Sequence, residues 1–238
     1  MTSTRNPGRV AGLWYLLLIL IGPLRLIYIP DKLFVHENPA ATVSNIAAHE
    51  WLFRFGMVSE LVGALMLVFL TLAFYRLFAG VDRNLAVQVV IFGGVMPAVL
   101  YFVNVVTDAG ALMVVRGEDF LSVFDKSQRD ALVMLLLRLH SHQFTATLLL
   151  AGAWLFPLAI LVYRSRFLPR FLGVWLLIAG CGWLVLCFTA YMAPQYQDKE
   201  FTILQPAFFG EIALTLWLVI KGAKPPALDV AASSAAVG

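Results

Sequence analysis

The sequence predicts an all-α fold, a polytopic membrane bundle of six transmembrane helices with short interfacial helices on the outer side. Three observations predict it. Only 13% of the 238 residues are charged, against roughly 25% in a soluble domain, so the polar coat of a water-soluble globule is missing. Apolar runs of spanning length recur at about 10–29, 55–75, 85–107, 143–163, 171–193 and 203–221. Each has about the 20 residues a span needs, and in lipid only a helix satisfies its own backbone groups. Charge also alternates between the connecting segments. One set holds nine basic residues (Arg5, Arg9, Arg76, Arg83, Arg164, Arg166, Arg170, Lys221 and Lys224) against Asp82 and Asp229. The other holds ten acidic residues, from Asp31 and Glu37 to Asp198 and Glu200. By the positive-inside rule, six spans with this alternation place both termini in the cytoplasm of a bacterial inner membrane.

The elements follow in order. Arg5 and Arg9 before an apolar stretch imitate a signal peptide, but the run is long enough to span and no small-x-small cleavage site follows it. It reads as a retained first span. Residues 41–50, "ATVSNIAAHE", suit a short interfacial helix. Pro97 is expected to kink the third span and free carbonyls. From Asp130 to Tyr163 is 34 residues, too long for one span. The membrane part is placed at 143–163, with "ALVMLLLRL" upstream as an interfacial helix or an extension of the same helix. Cys181 and Cys187 are six apart and make no disulfide pattern. One membrane domain is expected over 1–222 and a disordered cytoplasmic tail over 223–238. The formal charge of +3 is loop charge, so no nucleic acid is expected. No internal repeat marks an inverted-repeat transporter.

Nearly every ionisable group within a span falls in its outer half. Glu60 lies six residues below Arg54, about 9 Å at 1.5 Å per residue, and Glu211 lies roughly 12 Å into the last span. Residues three or four apart share a helical face. Glu60 therefore sits with Gly56, Gly63, Ala64 and Leu67. Tyr101, Asn104 and Asp108 form a stripe with Pro97; His140, Gln143 and Thr147 form another; and Glu211 aligns with Ala207, Phe208, Leu214 and Thr215. Four stripes are expected to converge on one outward-opening cavity. The alternative is a structural ion pair, with Arg25 or Arg54 as the cation. Tyr15, Tyr28, Trp51, Tyr191 and Tyr196 fit aromatic belts. His140 and His142 are about 200° apart around a helix and cannot chelate one metal there. No HExxH, Cys-rich or phosphate-loop motif occurs. A metal on Glu60, Glu211 and His140 is the lesser alternative; no metal and no cofactor is expected.

The stretches "RVAGLWYLLLILIGP", "FRFGMVSEL", the Leu139–His140 step, "VYRSRFLPRFLGVWLLIAG" and "GEIALTLWLVIKG" resemble an uncharacterised bacterial membrane-protein family, a domain of unknown function, from about residue 9 to 222. The resemblance implies six spans and picks out Arg54, Glu60, His140 and Glu211, but carries no activity. By that resemblance Arg25 and His142 depart from the family pattern, so neither is expected to anchor a mechanism. By analogy alone, in size and in one acidic residue early and one late, the chain is similar to small integral-membrane terpenoid cyclases.

The function this suggests is acid-base chemistry of isomerase, cyclase or hydrolase type on a lipophilic small molecule drawn from the bilayer. Glu60, Glu211 and His140 are the candidate catalytic groups. Arg54, Tyr101, Asn104, Asp108 and Gln143 are candidates for binding. Desolvation favours a neutral carboxyl, which serves as a general acid. A lipid or small-molecule binding or transport protein, or a structural membrane subunit, are the alternatives. The sequence leaves the oligomeric state open.

Overall fold

Backbone groups that lipid cannot satisfy must be satisfied within the chain, and the structure meets that requirement with helices. A computed structural model describes residues 6–35 and 38–225, and no strand occurs among them. In chain order the helices are α1 (Pro7–Leu33), α2 (Pro39–Ala48), α3 (Glu50–Phe78), α4 (Arg83–Arg116), α5 (Lys126–Arg164), α6 (Arg170–Met192) and α7 (Gln197–Ile220). All but α2 are long and apolar enough to cross a membrane. The protein is all-α and multi-pass, as its composition requires. The expected tail lies outside the described residues from 226 onward. Ala223, the first residue of the stretch expected as tail, is tied to the N-terminal segment, its carbonyl accepting from Gly8 N–H at 3.0 Å and its N–H donating to Asn6 Oδ1 at 3.0 Å.

Prolines set the irregularities of the long helices. The turns Leu24–Tyr28 and Ile91–Val95 are π-helical, and each ends two residues before a proline, Pro30 or Pro97. A proline ring collides with the carbonyl four residues back. Widening the turn to an i→i−5 bond moves that carbonyl aside. The Ile29 N–H accordingly donates to Leu24 O, and the Met96 N–H to Ile91 O. Just before Pro97, where the sequence predicts a kink, the helix carries a π turn. In α5 the α-helical geometry is interrupted at Trp154, where Pro157 leaves the Ala153 carbonyl without its usual donor. The "ALVMLLLRL" segment is part of α5, so of the two arrangements expected upstream of residue 143 the chain adopts the continuous helix.

Contacts group the residues into two units. The first takes residues up to Leu17, Met66–Pro97 and the chain from Ala146 onward. Its core is built on fully buried Phe74, Phe78, Leu155, Leu158, Leu172, Leu176 and Leu214. Glycines let its helices approach closely, as small residues do where lipid supplies no hydrophobic drive. A Cβ on Gly152 would lie 2.8 Å from the Gly180 carbonyl oxygen, and one on Gly173 would lie 2.8 Å from that of Ala159.

The second unit takes Leu18–Leu65 and Ala98–Thr145. Its core joins Ile29 and Leu33 of α1, Ile46 of α2, Leu52 and Phe53 of α3, Ala111 and Leu112 of α4, and Val133 and Leu137 of α5. The short α2 starts at Pro39, which needs no N–H donor partner there, and Asn38 caps it by accepting from Ala41 N–H at 3.0 Å. Thr42 of α2 is fully buried. Its hydroxyl accepts from Val35 N–H at 2.9 Å and lies 3.2 Å from the Val35 carbonyl. These bonds fix α2 against the end of α1.

Candidate functional site

Glu60 is 4% exposed and organises the second unit. One turn further along the same face of α3 is Gly63. A Cβ there would come within 2.9 Å of Arg25 Nη1, so the glycine makes room for the guanidinium. Arg25 stands on the π turn of α1. Its Nη2 donates to the Tyr101 hydroxyl at 2.9 Å, and its Cζ lies 4.4 Å from that ring's centroid, within cation–π range. Held this way, Arg25 does not close on the carboxylate. Its Nε stays 4.0 Å from Glu60 Oε1.

The stripe on α4 supplies the other side. Asp108 is buried, and its Oδ1 is 2.8 Å from His140 Nδ1. That bond turns the second ring nitrogen, Nε2, toward Glu60 Oε1 at 3.6 Å. Asp108, His140 and Glu60 thus form a row in which the imidazole stands between two carboxylates. Gln143, one turn beyond His140, ties α5 to α4 by donating to the Leu100 carbonyl at 2.7 Å. Asn104 is fully buried, with neither side-chain oxygen nor nitrogen partnered. Glu60 Oε2 and Arg25 Nε are likewise buried without a hydrogen-bond partner. Buried polar atoms normally have one, so this cluster has unused bonding capacity.

The row borders a cavity of about 760 Å³, within the 300–1,000 Å³ usual for small-molecule sites. Ile29, Phe34, Phe53, Met57 and Leu137 make much of its wall apolar, while Arg25, Glu60, Asp108 and His140 supply polar groups. Arg138, Ser141 and His142 also line it.

A family model described as Domain of unknown function (DUF4386) matches residues 10–222. The chain belongs to this family. An uncharacterised protein of Archaeoglobus fulgidus is 36% identical over 73 residues, a stretch that is 31% of this chain and 42% of that protein. The match therefore covers less than half of that relative's length. No solved structure matches the chain.

Of the four positions that the resemblance to the DUF4386 family picks out, Glu60 and His140 meet in the cavity wall. Arg54 and Glu211 do not. Arg54 Nε is 2.6 Å from Glu50 one turn back on α3, and Arg116 Nη2 contacts the same carboxylate oxygen at 2.5 Å. The side chains of Arg54 and Arg116 are about half exposed. Nearby Glu50 draws Arg54 away from the cavity lining, which corrects its expected place in the site. Among the other residues expected in the site, Tyr101, Asp108 and Gln143 meet the row or brace it.

Glu211 belongs to the first unit. Its Oε2 accepts from the Tyr15 hydroxyl and its Oε1 from Trp183 Nε1 at 2.8 Å. Tyr15 is 6% exposed and packs edge-on against Phe74 and Trp154, while Trp183 stacks on Phe208. Both carboxylate oxygens thus have donors, and Glu211 is not in the lining of the cavity described above. The expectation that all four stripes share one cavity is corrected here: the stripe of α7 has its own partners. Tyr15 is also corrected, from belt residue to buried donor, whereas Tyr28, Trp51, Tyr191 and Tyr196 are at least half exposed. Removing one donor from a buried acceptor costs about 1–3 kcal/mol. Tyr15→Phe is expected to lower stability by that amount in thermal unfolding of detergent-purified protein. An unchanged midpoint would mean that Glu211 does not depend on this hydroxyl.

Sequence reasoning set aside one residue of the site, Arg25. Its signals were a lone cation inside an otherwise apolar run and a glycine, Gly63, on the face that carries Glu60.

Proposed function

We propose that this DUF4386 protein is a bacterial inner-membrane enzyme, with both termini cytoplasmic, that carries out proton-transfer chemistry on a lipophilic small molecule. Isomerisation, cyclisation and hydrolysis are the reaction types it suits. The observation that carries the reading is the row Asp108–His140–Glu60 in the wall of a largely apolar cavity. Asp108 orients the imidazole, as a carboxylate does for a catalytic histidine. His140 Nε2 and Glu60 then offer a proton acceptor and a proton donor within one substrate's reach. Arg25 and Tyr101 suit a developing negative charge on substrate oxygen. The distribution of basic residues supports the topology.

The test uses membranes containing the wild type, Glu60→Gln or His140→Ala, incubated with a bacterial lipid extract and profiled by mass spectrometry. The wild type is expected to convert at least one component, and each variant to do so roughly 10²–10⁴-fold more slowly, the usual contribution of a positioned acid or base. Conversion at wild-type rate by both variants would overturn the assignment. A flux of an extract component that follows a pH gradient in proteoliposomes, without conversion, would replace the enzyme by a transporter.

A further inference from the structure

The same row has the makings of a metal centre. We propose that Glu60 and His140 hold a divalent transition-metal ion at the cavity wall, with Asp108 as the positioning residue for His140. The location rests on the proposed reading of the cavity as the functional site; the ion itself does not.

Three observations carry it. One candidate ligand atom from each of Glu60, Asp108 and His140 lies within 4.8 Å of the others. The spacing of the two proposed ligands is also telling. His140 Nε2 and Glu60 Oε1 are 3.6 Å apart, beyond the 3.2 Å limit of an ordinary N–H···O bond. Two ligands each about 2.1 Å from one tetrahedral ion stand roughly 3.4 Å apart. The observed gap is close to that bite. Finally, Glu60 is 96% buried by its 4% exposure, borders the cavity and leaves Oε2 without a partner. An isolated buried carboxylate oxygen is costly, and a cation is the partner that accounts for the cost.

The neighbouring groups fit the assignment. With Asp108 ionised, its contact with Nδ1 favours the ring proton there, which would leave Nε2 as a lone pair facing Glu60, the usual carboxylate–histidine–metal arrangement. Arg25 is the cation facing the site from α1, but Tyr101 holds it, and its Nε remains 4.0 Å from Glu60. Within the row and its arginine, two carboxylates stand against one guanidinium, a balance that favours a divalent ion there, while Arg138 lines the cavity elsewhere. An imidazole with carboxylate suits zinc, iron or manganese. Glu60 and His140 both line the cavity, so an ion they held would be within reach of water and of a substrate oxygen. A metal-bound water would then be the proton donor and acceptor of the site, with Glu60 and His140 acting through the ion.

The experiment equilibrates detergent-purified full-length protein with Zn²⁺, removes free metal by desalting, and counts retained zinc by elemental mass spectrometry. Co²⁺ in place of Zn²⁺ gives a second readout, its visible d–d bands. The wild type is expected to retain one zinc ion per chain and to show tetrahedral cobalt bands. Glu60→Gln and His140→Ala should lose both signals. Asp108→Asn should weaken zinc binding about 10–100-fold, and Glu118→Gln, at an exposed carboxylate, should bind as the wild type. A wild type that retains no zinc and shows no cobalt bands overturns the centre, and that result needs no variant to fold. So does equal retention by wild type, Glu60→Gln and His140→Ala. Conversion of a lipid component that persists in chelator, with no zinc retained, overturns the centre and leaves the proposed enzyme standing. Zinc held through Glu60 and His140 without conversion of any component supports the centre and counts against the enzyme.

Discussion

Gly173→Val is expected to yield no monodisperse protein, whereas Gly22→Ala should purify and melt as the wild type does. The difference lies in what a new side chain would meet. At Gly173 a Cβ would sit 2.8 Å from the Ala159 carbonyl oxygen and 3.0 Å from the Tyr163 backbone nitrogen. These are main-chain atoms of α5 and cannot rotate away. The helices must separate, and the packing of buried Leu172 and Leu176 of α6 and Ala159 and Val162 of α5 goes with them. Overpacking a well-filled interior typically costs about 1–3 kcal/mol, and Gly173→Ala should fall in that range. Valine adds two methyls against an immovable backbone, and the loss approaches the whole 5–15 kcal/mol that holds a typical domain together. Beside Gly22 there is nothing within 4 Å. Size-exclusion profiles and thermal midpoints of the three variants in one detergent decide the matter. A monodisperse Gly173→Val with a wild-type midpoint would show that α5 and α6 are not locked at this crossing.

Arg25→Ala is expected to cost about 1–3 kcal/mol, the loss when a buried hydrogen-bonding partner is removed. The figure applies because the Arg25 side chain is only 11% exposed and Glu60 only 6%. The cost has two parts. Glu60 loses its nearest arginine, and the Tyr101 hydroxyl and ring face lose their occupant. Arg25→Lys keeps the charge but lacks the planar guanidinium that reaches hydroxyl and ring together, so it should recover part of the loss. The double variant Arg25→Ala/Glu60→Gln separates the contributions. If the charge left behind is the main cost, the double variant should be more stable than the sum of the two single losses allows. Additive losses would instead trace the cost to packing around Tyr101. An Arg25→Ala midpoint equal to that of the wild type would mean that the guanidinium is not needed to hold α1 in the second unit.

The spans were legible because a hydrocarbon environment leaves few solutions, and a run such as 171–193 has only one. The stripes on α3, α4 and α5 were legible for a related reason. Helical repeat alone puts Glu60 with Gly63, and Asn104 with Asp108. What helical repeat cannot supply is azimuth, the direction in which each stripe faces. Nothing local says that Asp108 turns toward His140, or that Glu211 turns toward Tyr15 and Trp183. Aromatic residues were the hardest to read. A tyrosine five residues into a chain's first apolar run is as suitable for an interface as for a buried hydroxyl donor, and only the carboxylate on α7 separates the two. Arg25 was passed over for a different reason. Its value depends on an absence elsewhere, the missing side chain at Gly63, and on a π turn that the nearby Pro30 favours but does not dictate. Arg54 shows the converse. It stood among the positions that the resemblance picks out, yet Glu50 lies one turn away, and the salt bridge to it decided its direction.

The π turn at Ile91–Val95 bears on how chains of different length are compared. Such a turn is an α-helical turn carrying one extra residue. Were that residue deleted, α4 would close into an ordinary helix, and every side chain beyond it would swing by about 100° about the axis. Tyr101 and Asp108 would keep their spacing and lose their bearing on Arg25 and His140. A single gap at this turn would therefore set a homologue that retains the polar row apart from one in which the same letters are present but point elsewhere.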